Sequence, residues 1–139
     1  MERKLVATGT AALALAMVGC GSSGPMTRPD FTKQANAICT HRRALTTAAT
    51  TRHQGNRTAI VSAVYPAFQD AIKKLEALRP PAEWKSDYDS VMAFERLQVR
   101  AMAYFRKTGR VLPGSTEDGP PLHRHEAMRA RMGMRACDL

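Results

Sequence analysis

The chain has 139 residues, three of them cysteine, and 21 basic against 12 acidic side chains give a formal net charge of +9. That length fits one small domain with a modest core. The cation excess points toward anionic partners, though compartment decides which of them are reachable.

Residues 2–4, Glu-Arg-Lys, precede the uncharged stretch "LVATGTAALALAMV" at 5–18. A short basic segment, a short apolar run and a small-residue exit form a secretory signal peptide. The run is too short for the roughly 20 apolar residues of a spanning helix, and Gly21 to Pro25 end any helix there. Two cleavage sites fit. Ala14-Leu15-Ala16 has the small-x-small pattern of ordinary signal cleavage, whereas Met17-Val18-Gly19-Cys20 is similar to the bacterial lipobox, with Met17 where leucine is usual. We expect residues 1–19 to be a lipoprotein signal peptide, Cys20 to carry lipid as the new N-terminus, and residues 20–29 to form a flexible tether. Two acyl chains of the palmitate class anchor a protein without a transmembrane helix. The expected location is the extracytoplasmic face of the cell membrane, with simple secretion as the alternative.

Loss of residues 1–19 removes Arg3 and Lys4 against Glu2 and leaves 120 residues carrying +8 of the +9. With Cys20 set aside, Cys39 and Cys137 remain as an even pair in an oxidising compartment, where a disulfide is expected. Closing so long a loop stabilises a fold by about 4–5 kcal/mol in the chain-entropy model.

The domain is expected over 30–139. Asp30 reads as a helix N-cap, and Phe31, Ala35, Ile38, Leu45 and Ala49 fall at spacings near 3.6 over 31–52. "HQGN" at 53–56 reads as a turn with Gly55 at the C-cap. A second helix is predicted over 57–79, with Val61, Val64, Phe68, Ile72, Leu75 and Leu78 as its stripe and a kink or new first turn at Pro66. "RPP" at 79–81 stops it. A third helix over 82–108 has a broad apolar surface from Trp84, Tyr88, Val91, Met92, Phe94, Val99, Met102 and Phe105, and Gly109 ends it. Residues 109–121 read as loop, and a short fourth helix over 122–132 is capped by Gly133. No stretch shows strand alternation. The fold class is therefore all-α, an up-and-down bundle of three long helices and one short helix, closed by one disulfide.

Beyond the lipobox, three further patterns carry a family resemblance: Ala35-Asn36-Ala37-Ile38-Cys39, the Leu78-Arg79-Pro80-Pro81 run leading to Asp87-Tyr88, and the Gly133-to-Cys137 ending. In that order the chain resembles small, uncharacterised secreted lipoproteins of actinobacteria. The resemblance implies a helical, disulfide-closed envelope protein and brings no activity or catalytic residues with it.

The chain lacks a phosphate-cradling glycine loop, a Gly-x-Ser-x-Gly elbow, Cys-x-x-Cys and His-Glu-x-x-His. Asp87 and Asp89 lie two apart and diverge on a helix, while Glu117 and Asp118 read as solvated loop residues. No catalysis and no cofactor are expected. One segment, "HRHEAMRARMGM" at 123–134, has donors suited to Cu(I), with His125, Met128 and Met132 sharing a helix face. Methionine at that spacing also suits a core. Residues 28–57 carry Arg28, Lys33, Arg42, Arg43, Arg52 and Arg57 against Asp30 alone. Of these, Arg42, Arg43 and Arg52 are candidates for contact with an anionic surface. The expected function is a non-catalytic binding or structural module of the envelope, with an envelope protein or anionic polymer as partner. Copper binding is the alternative, and export disfavours nucleic acid.

Overall fold

A computed structural model describes residues 24–115 and 120–138. The signal segment, Cys20 and the Glu117/Asp118 pair lie outside the described residues. Four helices run in chain order: α1 over Arg28–Arg52, α2 over Arg57–Glu76, α3 over Lys85–Thr108 and α4 over Pro120–Arg131. Single 3₁₀ turns cover Ala82–Trp84 and Arg135–Cys137. The described residues thus form the all-α bundle of three long helices and one short helix, with a Cys39–Cys137 disulfide.

The helix ends follow from local chemistry. α1 begins at Thr27 rather than Asp30, because the Thr27 hydroxyl accepts the Asp30 backbone N–H at 3.3 Å and donates to the Asp30 carboxylate at 2.6 Å. Asp30 thus lies in the first turn, where the helix dipole favours an anion. The expected tether also ends early, since the Met26 N–H donates to the Arg79 carbonyl at 2.9 Å and docks the chain against the end of α2. Asn56 caps α2 by accepting the Ala59 N–H at 2.9 Å. α2 remains one element through Pro66 and ends at Glu76, three residues before the expected stop. Pro66 is exposed, as is Ser62 one turn earlier, so the carbonyl that loses its partner faces water. Gly109 closes α3 at φ 68°, a left-handed cap that glycine adopts without strain.

α2 packs between α1 and α3, α3 between α2 and α4, and the turn at 135–137 returns to α1. Two cores result. The larger joins Phe31, Cys39, Leu75, Tyr88, Val91 and the methionines 92, 128, 132 and 134, with Phe31 edge-on to Tyr88 at 5.1 Å. The Tyr88 hydroxyl donates to the Leu75 carbonyl at 2.6 Å. The smaller core, toward the α1–α2 turn, holds Ala49, Val64 and Phe68. Leu45, expected on the α1 stripe, is 44% exposed, and the inward position next to it belongs to Arg42.

Candidate functional site

One face of α1 is built to hold the segment 132–138. Thr32 donates its hydroxyl to the Met132 carbonyl at 3.1 Å. Asn36 works in both directions, giving its amide to the Gly133 carbonyl at 2.8 Å and accepting the Ala136 N–H at 2.9 Å. One turn on, Cys39 is bonded to Cys137 with 4.9 Å between their Cα atoms, and Arg43 donates to the Asp138 carbonyl. Residues 32, 36, 39 and 43 share a helical face by their spacing, so the segment lies along α1. Gly133, at φ 70°, turns the chain into this groove, and a Cβ there would stand 3.0 Å from Thr32 Cγ2.

Beneath the disulfide lies a buried ion cluster. Arg42 donates to Glu95 at 2.7 Å and to the Cys137 carbonyl at 3.3 Å. Arg129 reaches the other Glu95 oxygen at 3.5 Å and the half-exposed Asp138 carboxylate at 3.1 Å. All three of Arg42, Glu95 and Arg129 are at most 3% exposed. Burying such charges costs several kcal/mol per ion unless partners compensate. The cluster therefore ties α1, α3, α4 and the 135–138 segment into one register. The Arg129 Nη2 has no partner among the described residues.

A groove of about 780 Å³ opens beside the start of the described chain, between the end of α2 and the first turns of α3. Leu78, Pro80, Tyr88 and Met92 supply its apolar wall. Its charged rim is mostly paired already: Lys85 with Asp89 at 2.5 Å and Arg96 with Glu76 at 2.6 Å. Nearby, Arg28 bridges to Glu83 at 2.7 Å. The Glu83 carboxyl is held below its ordinary range, first by its own backbone N–H and then by Arg28.

Each sequence candidate now has a place. Cys39 and Cys137 are bonded. Met128 and Met132 are buried in the main core, and His125 stacks on Phe94 with ring centroids 4.4 Å apart. Among the described residues no group of three or more His, Cys, Asp or Glu is gathered closely enough to hold a metal ion. The basic triplet on α1 divides. Arg42 is a correction: it is buried against Glu95 and cannot meet an external surface, because α1 turns that position inward. Arg43 is exposed but tied to Asp138, and Arg52 is exposed in the last turn.

Glu95 and Arg129 escaped the sequence reading. Their signal was a charge standing on an apolar stripe: Glu95 continues Tyr88, Val91 and Met92, and Arg129 sits between Met128 and Met132. Every carboxylate among the described residues has a polar partner, eight of them a cationic or histidine side chain and Asp30 the Thr27 hydroxyl. Comparison with family models, curated proteins and solved structures returns no match for this chain.

Proposed function

We propose that this chain is an exported envelope protein, held at the extracytoplasmic face of the membrane by lipid on Cys20, and that it acts there as a binding or structural module without catalysis of its own. The observation that carries the reading is the buried Cys39–Cys137 disulfide. Such bonds persist in oxidising compartments. The disulfide takes two of the three cysteines and leaves Cys20, placed behind Met17-Val18-Gly19 after a short apolar run, for lipid. Among the described residues no helix is long and apolar enough to cross a membrane, so stable anchoring of this part of the chain would need lipid. The non-catalytic reading is supported by carboxylates that are already committed to partners.

Mass spectrometry of the membrane fraction tests the anchor. Diacylglyceryl on an N-terminal Cys20 is the expected result. A chain that begins at Met17 and carries no lipid would sink the anchored reading and leave a secreted protein.

A further inference from the structure

The charges of this bundle are sorted by end. Residues 44–69 and 97–115 contain Arg52, Arg57, Arg100, Arg106, Lys107 and Arg110 and not one Asp or Glu. The fold brings these two stretches together as the far halves of α1, α2 and α3, around the smaller core. All six cations are exposed, and none is ion-paired among the described residues. Two of them lie over aromatic rings instead: Arg57 on Phe105 at 5.0 Å and Arg106 on Tyr65 at 4.4 Å from the ring centroids.

Stability explains part of this. Arg52, Arg106 and Lys107 stand in last turns, where a cation offsets the helix dipole. Arg57 does not fit that account, since it opens α2 in a first turn without any acid, the end where the dipole disfavours a cation. Six exposed cations gathered at one end present a concentrated positive surface to an external anion.

We propose that this cation-rich end binds a phosphodiester polymer of the envelope, one with a polyol rather than a nucleoside backbone. Five of the six cations are arginine, whose fork matches phosphate oxygens in pairs. Arg57 and Arg106 each lie over one face, of Phe105 and of Tyr65, and take those faces from base stacking. Among the described residues the exposed large apolar side chains are Leu45 and Val111, both at this end, and two are short of the apolar centre that a stable protein interface has. The direction also fits. α1 has 25 residues and spans about 37 Å, so the cationic end lies that far from the end where the chain leaves toward Cys20. Only this last point rests on the proposed anchor; binding itself does not need it.

The test uses the full chain carrying Cys20→Ser, oxidised, with synthetic poly(glycerol phosphate) as the probe. Polyglutamate and oligothymidylate of matched charge are the comparison arms. Affinity for poly(glycerol phosphate) should fall several-hundredfold to about a thousandfold between 50 and 200 mM salt, as expected when about six charges release counterions. Arg57→Glu/Arg106→Glu should weaken binding at least about tenfold, and Arg57→Gln/Arg106→Gln should weaken it less. Lys33→Glu/Lys73→Glu, an equal charge change outside the acid-free stretches, should leave it within about threefold. Unfolding midpoints of all variants guard against loss of fold. Equal losses in the two Glu pairs would reduce the effect to net charge and overturn the site. So would absent binding at 50 mM salt. Tighter binding to polyglutamate would assign the surface to an acidic protein, and tighter binding to oligothymidylate to nucleic acid; either overturns the polymer proposed.

Discussion

The two ends of the bundle are held together by different means. At the end near Met26, twelve residues form the main core, a disulfide closes it, and ion pairs link α1, α2, α3 and α4 to their neighbours. At the other end three buried residues form the core, and among the described residues the exposed cations stand without ion pairs. Stability is concentrated where the 132–138 segment fastens α1, and the far end carries cations whose contacts are helix ends and ring faces rather than acids among the described residues. A surface tuned for a partner sits where the packing demands least.

That contrast can be broken most severely at the disulfide. Cys39→Ala should destabilise by about 4–5 kcal/mol in urea unfolding, and Cys39→Ala/Cys137→Ala by the same amount, because either change opens one loop. Hydrogen exchange should quicken over residues 132–138 and the first half of α1 and change little around Phe68. Free thiols at both positions in protein taken from the envelope would refute the bond.

Next in size is the buried cluster. Glu95→Gln should cost about 3–5 kcal/mol, since it leaves two guanidinium groups buried without their shared anion. Arg42→Met/Glu95→Leu/Arg129→Met, which removes all three charges, should be far less harmful than the single change. A triple variant worse than Glu95→Gln would mean that the cluster contributes net stability.

One substitution made at both ends compares them directly. Gly109→Ala should cost about 1–2 kcal/mol, the backbone penalty alone, because nothing lies within 4 Å of the new Cβ. Gly133→Ala has the same penalty and must also displace Thr32, which holds the Met132 carbonyl. It should cost more. Equal effects on urea midpoints would show that the 132–138 segment yields easily.

The smallest effect concerns Tyr88. Burial, with Glu76 and Glu95 adding repulsion, raises its hydroxyl above the ordinary tyrosine range. The unfolded chain then loses this proton first, above about pH 10. Stability linked to Tyr88 is therefore fully present below that pH and declines above it. Tyr88→Phe should cost about 1 kcal/mol at neutral pH and flatten the alkaline decline in denaturation midpoints.

Much of the fold was legible in the sequence because helices announce their ends: Gly109 and Gly133 close elements where expected, and the proline pair at 80–81 lies just beyond the end of α2. Periodicity misled at α1, where a search for apolar residues favoured Leu45 over Arg42. The inward position is set by geometry, and a charge can occupy it when an opposite charge arrives from α3, a pairing invisible within one helix. The turn at 135–137 is too short for periodicity and exists through Asn36, about a hundred residues earlier. The cation-rich end was half legible. Residues 28–57 showed the cations of α1, but only the packing of α3 beside α2 brings Arg100, Arg106 and Arg110 to the same end.

The bond between Cys39 and Cys137 also imposes an order of events on the growing chain. The two cysteines are 98 residues apart, so at about 5–20 residues per second Cys39 waits on the order of 5–20 s for its partner. During that wait Cys20 is the nearer thiol and the natural competitor in exchange. A thioether on Cys20 would take that competitor away. On the proposed anchor, lipid attachment would guard the oxidation step, and a Cys20→Ser chain should form its disulfide as cleanly as a lipidated one.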